Sequence, residues 1–223
     1  MKAKKRIYLN LTNKCNVKCD FCCMFSEPRK TTFLSFNRFK EIIGVNSDLF
    51  ELQLEGGEPF LHPDFYTFLE YVNNLKSCTK ITISSNGILL NKHLQRLVYF
   101  SGVSKIPLTI KRSINYYLFN IDNDIFKTCS DLHIAIKNIK DFKIEFNVRL
   151  RKEDGWITEK LKEYNIFDQS SVYDLQNYGR MEDTSYVKPF IVRNIDEFFV
   201  YASDGTCFND NLVERSEYEK TLN

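Results

Sequence analysis

Phe142-Lys143-Ile144-Glu145-Phe146-Asn147-Val148-Arg149-Leu150-Arg151 alternates apolar and polar residues along its whole length. Successive side chains of a β-strand point to opposite faces, so this run reads as a strand with one apolar and one polar face. Four other runs share the pattern. In 6–12, Ile7, Leu9 and Leu11 oppose Tyr8, Asn10 and Thr12; in 49–55, Phe50, Leu52 and Leu54 oppose Glu51, Gln53 and Glu55. In 80–86, Ile81 and Ile83 oppose Thr82, Ser84 and Asn86; in 105–112, Ile106, Leu108 and Ile110 oppose Thr109 and Lys111. A sixth strand is predicted at 171–176, and helices at 35–45, 63–76, 91–101, 123–140 and 156–164. Pro63 and Asp64 suit the first turn of their helix, the proline by its fixed φ and the acid by the helix dipole. Helices between successive strands imply parallel crossovers. Buried parallel strands usually read as continuous apolar runs. Here the polar faces converge instead, which predicts a partial (β/α)6 barrel with a hydrated interior. An antiparallel sheet with one wet face gives the same alternation, but the intervening helices argue against it.

The loop after the first strand holds Cys15-Asn16-Val17-Lys18-Cys19-Asp20-Phe21-Cys22-Cys23. Cys15, Cys19 and Cys22 are spaced C-x3-C-x2-C. Three thiolates this close can hold an iron–sulfur cluster by three irons and leave the fourth open, whereas electron carriers usually have every iron held by cysteine. A structural zinc site favours four ligands in two pairs, and Cys23 is badly placed to be the fourth. It reads as a packing residue. Glu55-Gly56-Gly57-Glu58-Pro59 follows the second strand.

Together these motifs resemble the radical S-adenosylmethionine (radical SAM) enzymes, whose cluster motif is C-x3-C-x-aromatic-C, with Phe21 in the aromatic position, and which carry Gly-Gly-Glu-Pro after strand two. The resemblance covers roughly the first 150 residues. It implies that Cys15, Cys19 and Cys22 ligate a catalytic [4Fe-4S] cluster and that the open iron chelates S-adenosylmethionine. It further implies reductive cleavage to methionine and a 5′-deoxyadenosyl radical, and an external one-electron reductant of flavodoxin or ferredoxin type. Gly56, Gly57 and Glu58 are candidates for the S-adenosylmethionine ammonium, and Ser84 and Asn86 for its ribose or carboxylate. Lys111 or Arg149 would bind the carboxylate; a guanidinium does so bidentately, which favours Arg149. Phe21 and the strand-six backbone stand in for the adenine contacts, because no clean copy of the family's glycine-rich stretch occurs on strand five. Tyr8, Asn10, Tyr178 and Arg180 either line the substrate end or form a plain polar wall. His62, His93 and His133 show no metal spacing, and Cys78 and Cys129 read as packing residues.

The chain has 223 residues and a formal net charge of +2, too little to imply nucleic acid or a membrane surface as the partner. No apolar run approaches the ~20 residues of a transmembrane helix. Seven cysteines without a secretion signal point to a reducing cytoplasm. The division expected is a barrel over 1–180 and a C-terminal extension over 181–223. Within the extension, 182–189 has no clear periodicity. Residues 198–202, Ser203-Asp204-Gly205 and 206–208 read as a β-hairpin. A strand, an Asp-Gly turn and then Cys207 resemble the opening of the cysteine-rich extension of radical SAM peptide maturases, here without an auxiliary cluster. Three functions are consistent with these features. The first is a radical SAM oxidoreductase that modifies a peptide or protein. The second acts on a small polar metabolite. The third is a non-catalytic iron–sulfur binding or electron-transfer protein, against which the Gly-Gly-Glu-Pro stretch speaks.

Overall fold

The computed structural model describes residues 5–46, 48–181 and 197–223. Its strands are β1 (Lys5–Thr12), β2 (Phe50–Gly56), β3 (Cys78–Ser85), β4 (Leu108–Ile114), β5 (Phe142–Leu150), β6 (Ser170–Asp174) and β7 (Glu197–Tyr201). Its helices are α1 (Phe36–Gly44), α2 (Phe65–Asn73), α3 (Leu90–Val103), α4 (Tyr116–Ile121), α5 (Ile125–Ile136), α6 (Gly155–Glu163) and α7 (Leu212–Thr221). Among the described residues, all seven strands run parallel in one sheet of order β6-β5-β4-β3-β2-β1-β7. Its edges are β6 and β7, so the barrel is partial, an α/β fold of the class the sequence implies.

The alternation read from the sequence has a direct physical counterpart. Ile7, Leu9, Leu52, Leu54, Ile81 and Ile83 are at most 1% exposed, beneath the helices. Aromatic rings fill the space between sheet and helices: Phe39 of α1 stacks on Phe68 of α2 with centroids 4.4 Å apart, and Phe36 and Tyr71 pack around them. The opposite faces of the strands form the barrel interior in level rows. Asn10 pairs with Glu55, Ser84 with Lys111 and Lys111 with Glu145. Nearer the strands' C-terminal ends, Arg149 is level with Tyr173.

Helix starts follow local capping. Ser35 accepts from the Arg38 amide, Asn115 from Leu118 and Asn211 from Glu214. Helix α2 begins after Pro63, at Phe65, because His62 holds the preceding turn: its Nδ1 accepts from the Asp64 amide while its Nε2 bonds Leu34 O. The expected hairpin forms, with Gly205 in the left-handed region, Phe208 N donating to Val200 O and Ala202 N to Thr206 O. Its first strand, β7, also pairs parallel with β1 and makes the sheet one strand wider than expected. Residues 182–189 lie outside the described residues. Helix α7 lies on the polar face of β1 and β2: Arg215 pairs with Glu55 at 2.8 Å, and Glu219 accepts from Asn10 Nδ2 at 2.7 Å and from the Ser203 amide. Among the described residues no helix is long and apolar enough to cross a membrane.

Candidate active site

At the end of β1 the chain enters the loop that carries the clustered cysteines. Cys15 N donates to Glu27 O, and Cys22 N to Cys19 O, which folds the loop back on itself. A residue distant in sequence holds this shape. The Arg180 guanidinium donates to Cys19 O (3.1 Å), Ser26 O (2.9 Å), Phe25 O (2.7 Å) and the Glu27 carboxylate (3.0 Å), and its amide donates to Cys22 O. On another side, the Tyr116 hydroxyl of α4 donates to Asp20 and its ring meets Phe21 at 5.5 Å. Arg151 lies 3.5 Å over the Tyr116 ring and bonds the fully buried Asp154.

Cys15, Cys19 and Cys22 line one cavity of about 390 Å³ together with Phe21, Gly56, Gly57, Ser84, Asn86, Lys111 and Arg149. All three thiols are free. Burial pushes Cys15 up to about 12, and burial followed by the neighbouring Cys22 and Cys15 raises Cys19 as well. Thiols held this way ligate iron only by releasing protons, and the positive charge of the metal reverses their preference. Among the described residues, no three His, Cys, Asp or Glu side chains converge on a position for one ion. Three thiols on one cavity wall, close enough for Cys22 to raise both Cys15 and Cys19, suit a polynuclear cluster, in which each ligand binds its own iron. The donor set therefore fits a [4Fe-4S] cluster.

The Gly-Gly-Glu-Pro stretch is knitted to the start of the loop. Gly57 N donates to Thr12 O at 2.7 Å and Glu58 N to Lys14 O at 2.9 Å. Gly56 has φ +132°, and a Cβ on it would stand 2.4 Å from Thr12 O. The Glu58 side chain stands apart from the cavity. It is fully buried and accepts from Ser85 Oγ (2.9 and 3.0 Å), the Asn86 amide (3.0 Å) and, at 3.4 Å, the Phe60 amide. It ties the end of β2 to the end of β3. Asn86, set by that tie, donates to Asn16 Oδ1 at 2.7 Å and approaches Cys15 Sγ at 3.6 Å.

Burial raises the Glu58 carboxyl to about 7, against hydrogen bonds from Asn86, Ser85 and Phe60 that lower it. In the unfolded chain it ionises near 4.5. Between those values the unfolded state has lost a proton that the folded state keeps. Stability from this group therefore falls as pH rises from about 4.5 to 7, by roughly 3 kcal/mol, and is level above. Glu58→Gln is expected to remove that slope. The check is the urea midpoint of metal-free protein at pH 5 and 7.5; an identical slope in wild type and variant would contradict the assignment.

The remaining sequence candidates divide. Tyr8 and Tyr178 line the cavity, whereas Asn10 is buried against Glu219 and Arg180 serves the cysteine loop. Cys23 is on the cavity wall, hydrogen-bonded to the Tyr178 side chain, where packing alone was expected. Arg149 lies 4.8 Å from the Tyr173 ring and reaches Asp174 O at 3.5 Å. His62 and His93 are tied to Leu34 O and the Tyr66 hydroxyl. Sequence reasoning passed over Ser85, Tyr116 and Arg215. Ser85 was within reach, being next to the Asn86 already singled out, but Tyr116 and Arg215 carry no motif.

Residues 9–121 match the family model of the Radical SAM superfamily. The chain belongs to that superfamily. Its members' cofactors, a [4Fe-4S] cluster and S-adenosylmethionine, are those the cysteine loop and cavity fit. A GTP 3′,8-cyclase of Staphylococcus carnosus (strain TM300) is 30% identical over 162 residues, 65% of this chain and 45% of that protein. A GTP 3′,8-cyclase of Synechocystis sp. is 30% identical over 159 residues, 67% of this chain and 46% of that one. The chain thus spans a little under half the length of these relatives. Among solved structures, Streptococcus suis SuiB bound to the precursor peptide SuiA superposes with a TM-score of 0.60 at 17% identity, over 84% of this chain and 42% of SuiB. SuiB bound to S-adenosylmethionine superposes at 0.54 and 18% identity, over 78% and 39%. At that identity the likeness is one of fold.

Proposed function

We propose that this chain is a radical SAM enzyme whose radical acts on a small polar substrate held inside the partial barrel. One observation carries the reading: the three loop cysteines, the Gly56-Gly57 backbone and the inward polar faces of β3, β4 and β5 all line the same cavity. When bound and reduced, the cluster supplies the electron that splits S-adenosylmethionine into methionine and a 5′-deoxyadenosyl radical. The chain's own residues do the rest. Gly56 and Gly57 let backbone carbonyls approach the ammonium group. Arg149, level with Tyr173 near the C-terminal end of β5 and on the same cavity wall, offers a guanidinium to the carboxylate. Ser84 and Asn86 present hydroxyl and amide groups to the ribose, and Phe21 offers a ring face. Helix α7 covers part of the sheet's polar face and brings Leu212 and Arg215 to the cavity wall.

A peptide substrate is the second reading. It is favoured by the strand, Asp204-Gly205 turn and Cys207 that resemble the opening of a maturase extension. Cluster-reconstituted protein, given dithionite and S-adenosylmethionine without oxygen, is expected to form 5′-deoxyadenosine. Absence of product from protein with a full iron and sulfide complement would favour a binding or electron-transfer role.

A further inference from the structure

Two arms hold the cysteine loop, and they hold different parts of it. Arg180 grips backbone, through the carbonyls of Cys19, Cys22, Phe25 and Ser26. Tyr116 grips side chains: its hydroxyl donates to Asp20, and its ring packs on Phe21 with centroids 5.5 Å apart. Asp20 and Phe21 are the two residues between Cys19 and Cys22. Phe21 lines the cavity, whereas Asp20 and Tyr116 are not among the residues described as lining it. Tyr116 therefore stands behind the Phe21 ring, away from the space a ligand would fill.

This second arm is anchored at a distance. Tyr116 is the first residue of α4, just past β4, and β2 and β3 separate β4 from β1 in the sheet. Its bond to Asp20 thus spans the mouth of the partial barrel. The start of α4 is fixed by Asn115, which is buried and accepts from the Leu118 amide at 2.9 Å. The Arg151 guanidinium lies 3.5 Å from the centre of the Tyr116 ring. Arg151 is fixed in turn by the fully buried Asp154, which accepts from its amide (2.9 Å), its Nε (3.0 Å) and its Nη2 (2.8 Å). A guanidinium pinned by a carboxylate and laid on an aromatic face is a firm backstop. The chain of contacts runs from the end of β5, through one ring, to the side chains between two cysteines.

The thiols do not need this second arm, because the Arg180 bonds already shape the backbone that carries them. What Tyr116 adds is a fixed ring at Phe21. An aromatic side chain on a loop loses rotamer freedom when a ligand packs on it, and a ring ordered beforehand spares that loss. We propose that Tyr116 is a positioning residue for S-adenosylmethionine: through Asp20 and Phe21, and backed by Arg151, it presets the ring face offered to the adenine. The inference rests on the radical SAM reading above and assigns the two arms separate duties, Arg180 to the cluster and Tyr116 to the nucleoside half of the cofactor.

The test is calorimetric titration of oxidised, cluster-loaded protein with S-adenosylmethionine. Tyr116→Phe keeps the ring and deletes only the hydroxyl. Its affinity for S-adenosylmethionine is expected to fall at least about fivefold, as loss of a hydrogen bond to a charged acceptor does. Iron and sulfide per chain should match wild type, and the rate of 5′-deoxyadenosine formation at saturating S-adenosylmethionine should stay within about twofold. Arg151→Gln should weaken binding in the same direction. The double variant should lose less than the product of the two single losses, because both act through one ring. Arg180→Gln is the contrast, in which iron retention itself falls. Unchanged affinity in Tyr116→Phe would overturn the assignment. So would loss of iron to the level of Arg180→Gln, which would make the arm part of the cluster scaffold, and so would a slower saturated rate with affinity intact. Fully independent losses in the double variant would remove Arg151 from the arm. Wild-type protein that carries a full cluster yet binds no S-adenosylmethionine would instead bring down the radical SAM reading, and this inference with it.

Discussion

Gly57→Ala is expected to leave a protein that does not retain its cluster. A Cβ at Gly57 would stand 2.0 Å from Lys14 O and 2.5 Å from Lys14 C, both backbone atoms. No rotamer relieves such a contact, so either the Gly-Gly turn or the start of the cysteine loop must move. Lys14 O is also the acceptor of the Glu58 amide, and Gly57 N donates to Thr12 O. A shift large enough to clear the methyl group breaks at least one of these bonds and displaces Cys15, the next residue. The expected cost is about 3 kcal/mol or more, with iron and sulfide per chain falling well below wild type after reconstitution. Gly102, in α3, is the control: nothing lies within 4 Å of its added Cβ, and alanine there should stabilise by up to about 1 kcal/mol. Full iron content in Gly57→Ala would show that the loop is far more pliant than its hydrogen bonds imply.

Cys19→Ala should preserve the fold and abolish 5′-deoxyadenosine formation. Cys19 is only partly buried and its backbone carbonyl, not its thiol, receives the Arg180 bond, so the loop keeps its clamp. The loss falls on the metal alone: two thiolates replace the three that the spacing provides. Cys23→Ala is the informative contrast. Its thiol bonds Tyr178, outside the C-x3-C-x2-C set, and iron per chain should be close to wild type. Circular dichroism and iron analysis on both proteins, followed by the product assay, separate the two roles. Equal loss of iron in both would make Cys23 a ligand.

Much of this architecture was legible because period-two alternation is a strong signal when one face of a strand is wet. The run 142–151 became Phe142–Leu150, and 6–12 became Lys5–Thr12. Boundaries drifted where the alternation weakened. Strand β3 starts at Cys78, two residues before the first clear apolar–polar pair, and β4 runs on to Ile114 past the buried Arg112. Helix α4 escaped notice because six residues cannot show a helical period. Helix α7 escaped because the residues it buries are Arg215, Ser216 and Glu219, which present no apolar stripe. The strand character of β7 was visible, but its pairing with β1 depends on residues nearly a whole chain apart, and no local pattern encodes that. In the site, spacing identified the cysteines and the glycines. It could not show which way Glu58 turns, since the same tetrapeptide serves whether its carboxylate faces the cavity or ties two strand ends together.

The Arg180 clamp also sets a timetable. The thiols follow β1 and are synthesised well before β6, but the five hydrogen bonds that shape their loop come from a residue made only after β6. Ser216 of α7, later still, donates to Cys23 O. Until those parts arrive, the nascent chain carries three cysteines with no fixed spacing between them. Loading of iron is thereby expected to wait until those parts are made, and a ribosome-bound fragment ending before β6 should emerge as a poor acceptor for the cell's cluster-delivery machinery.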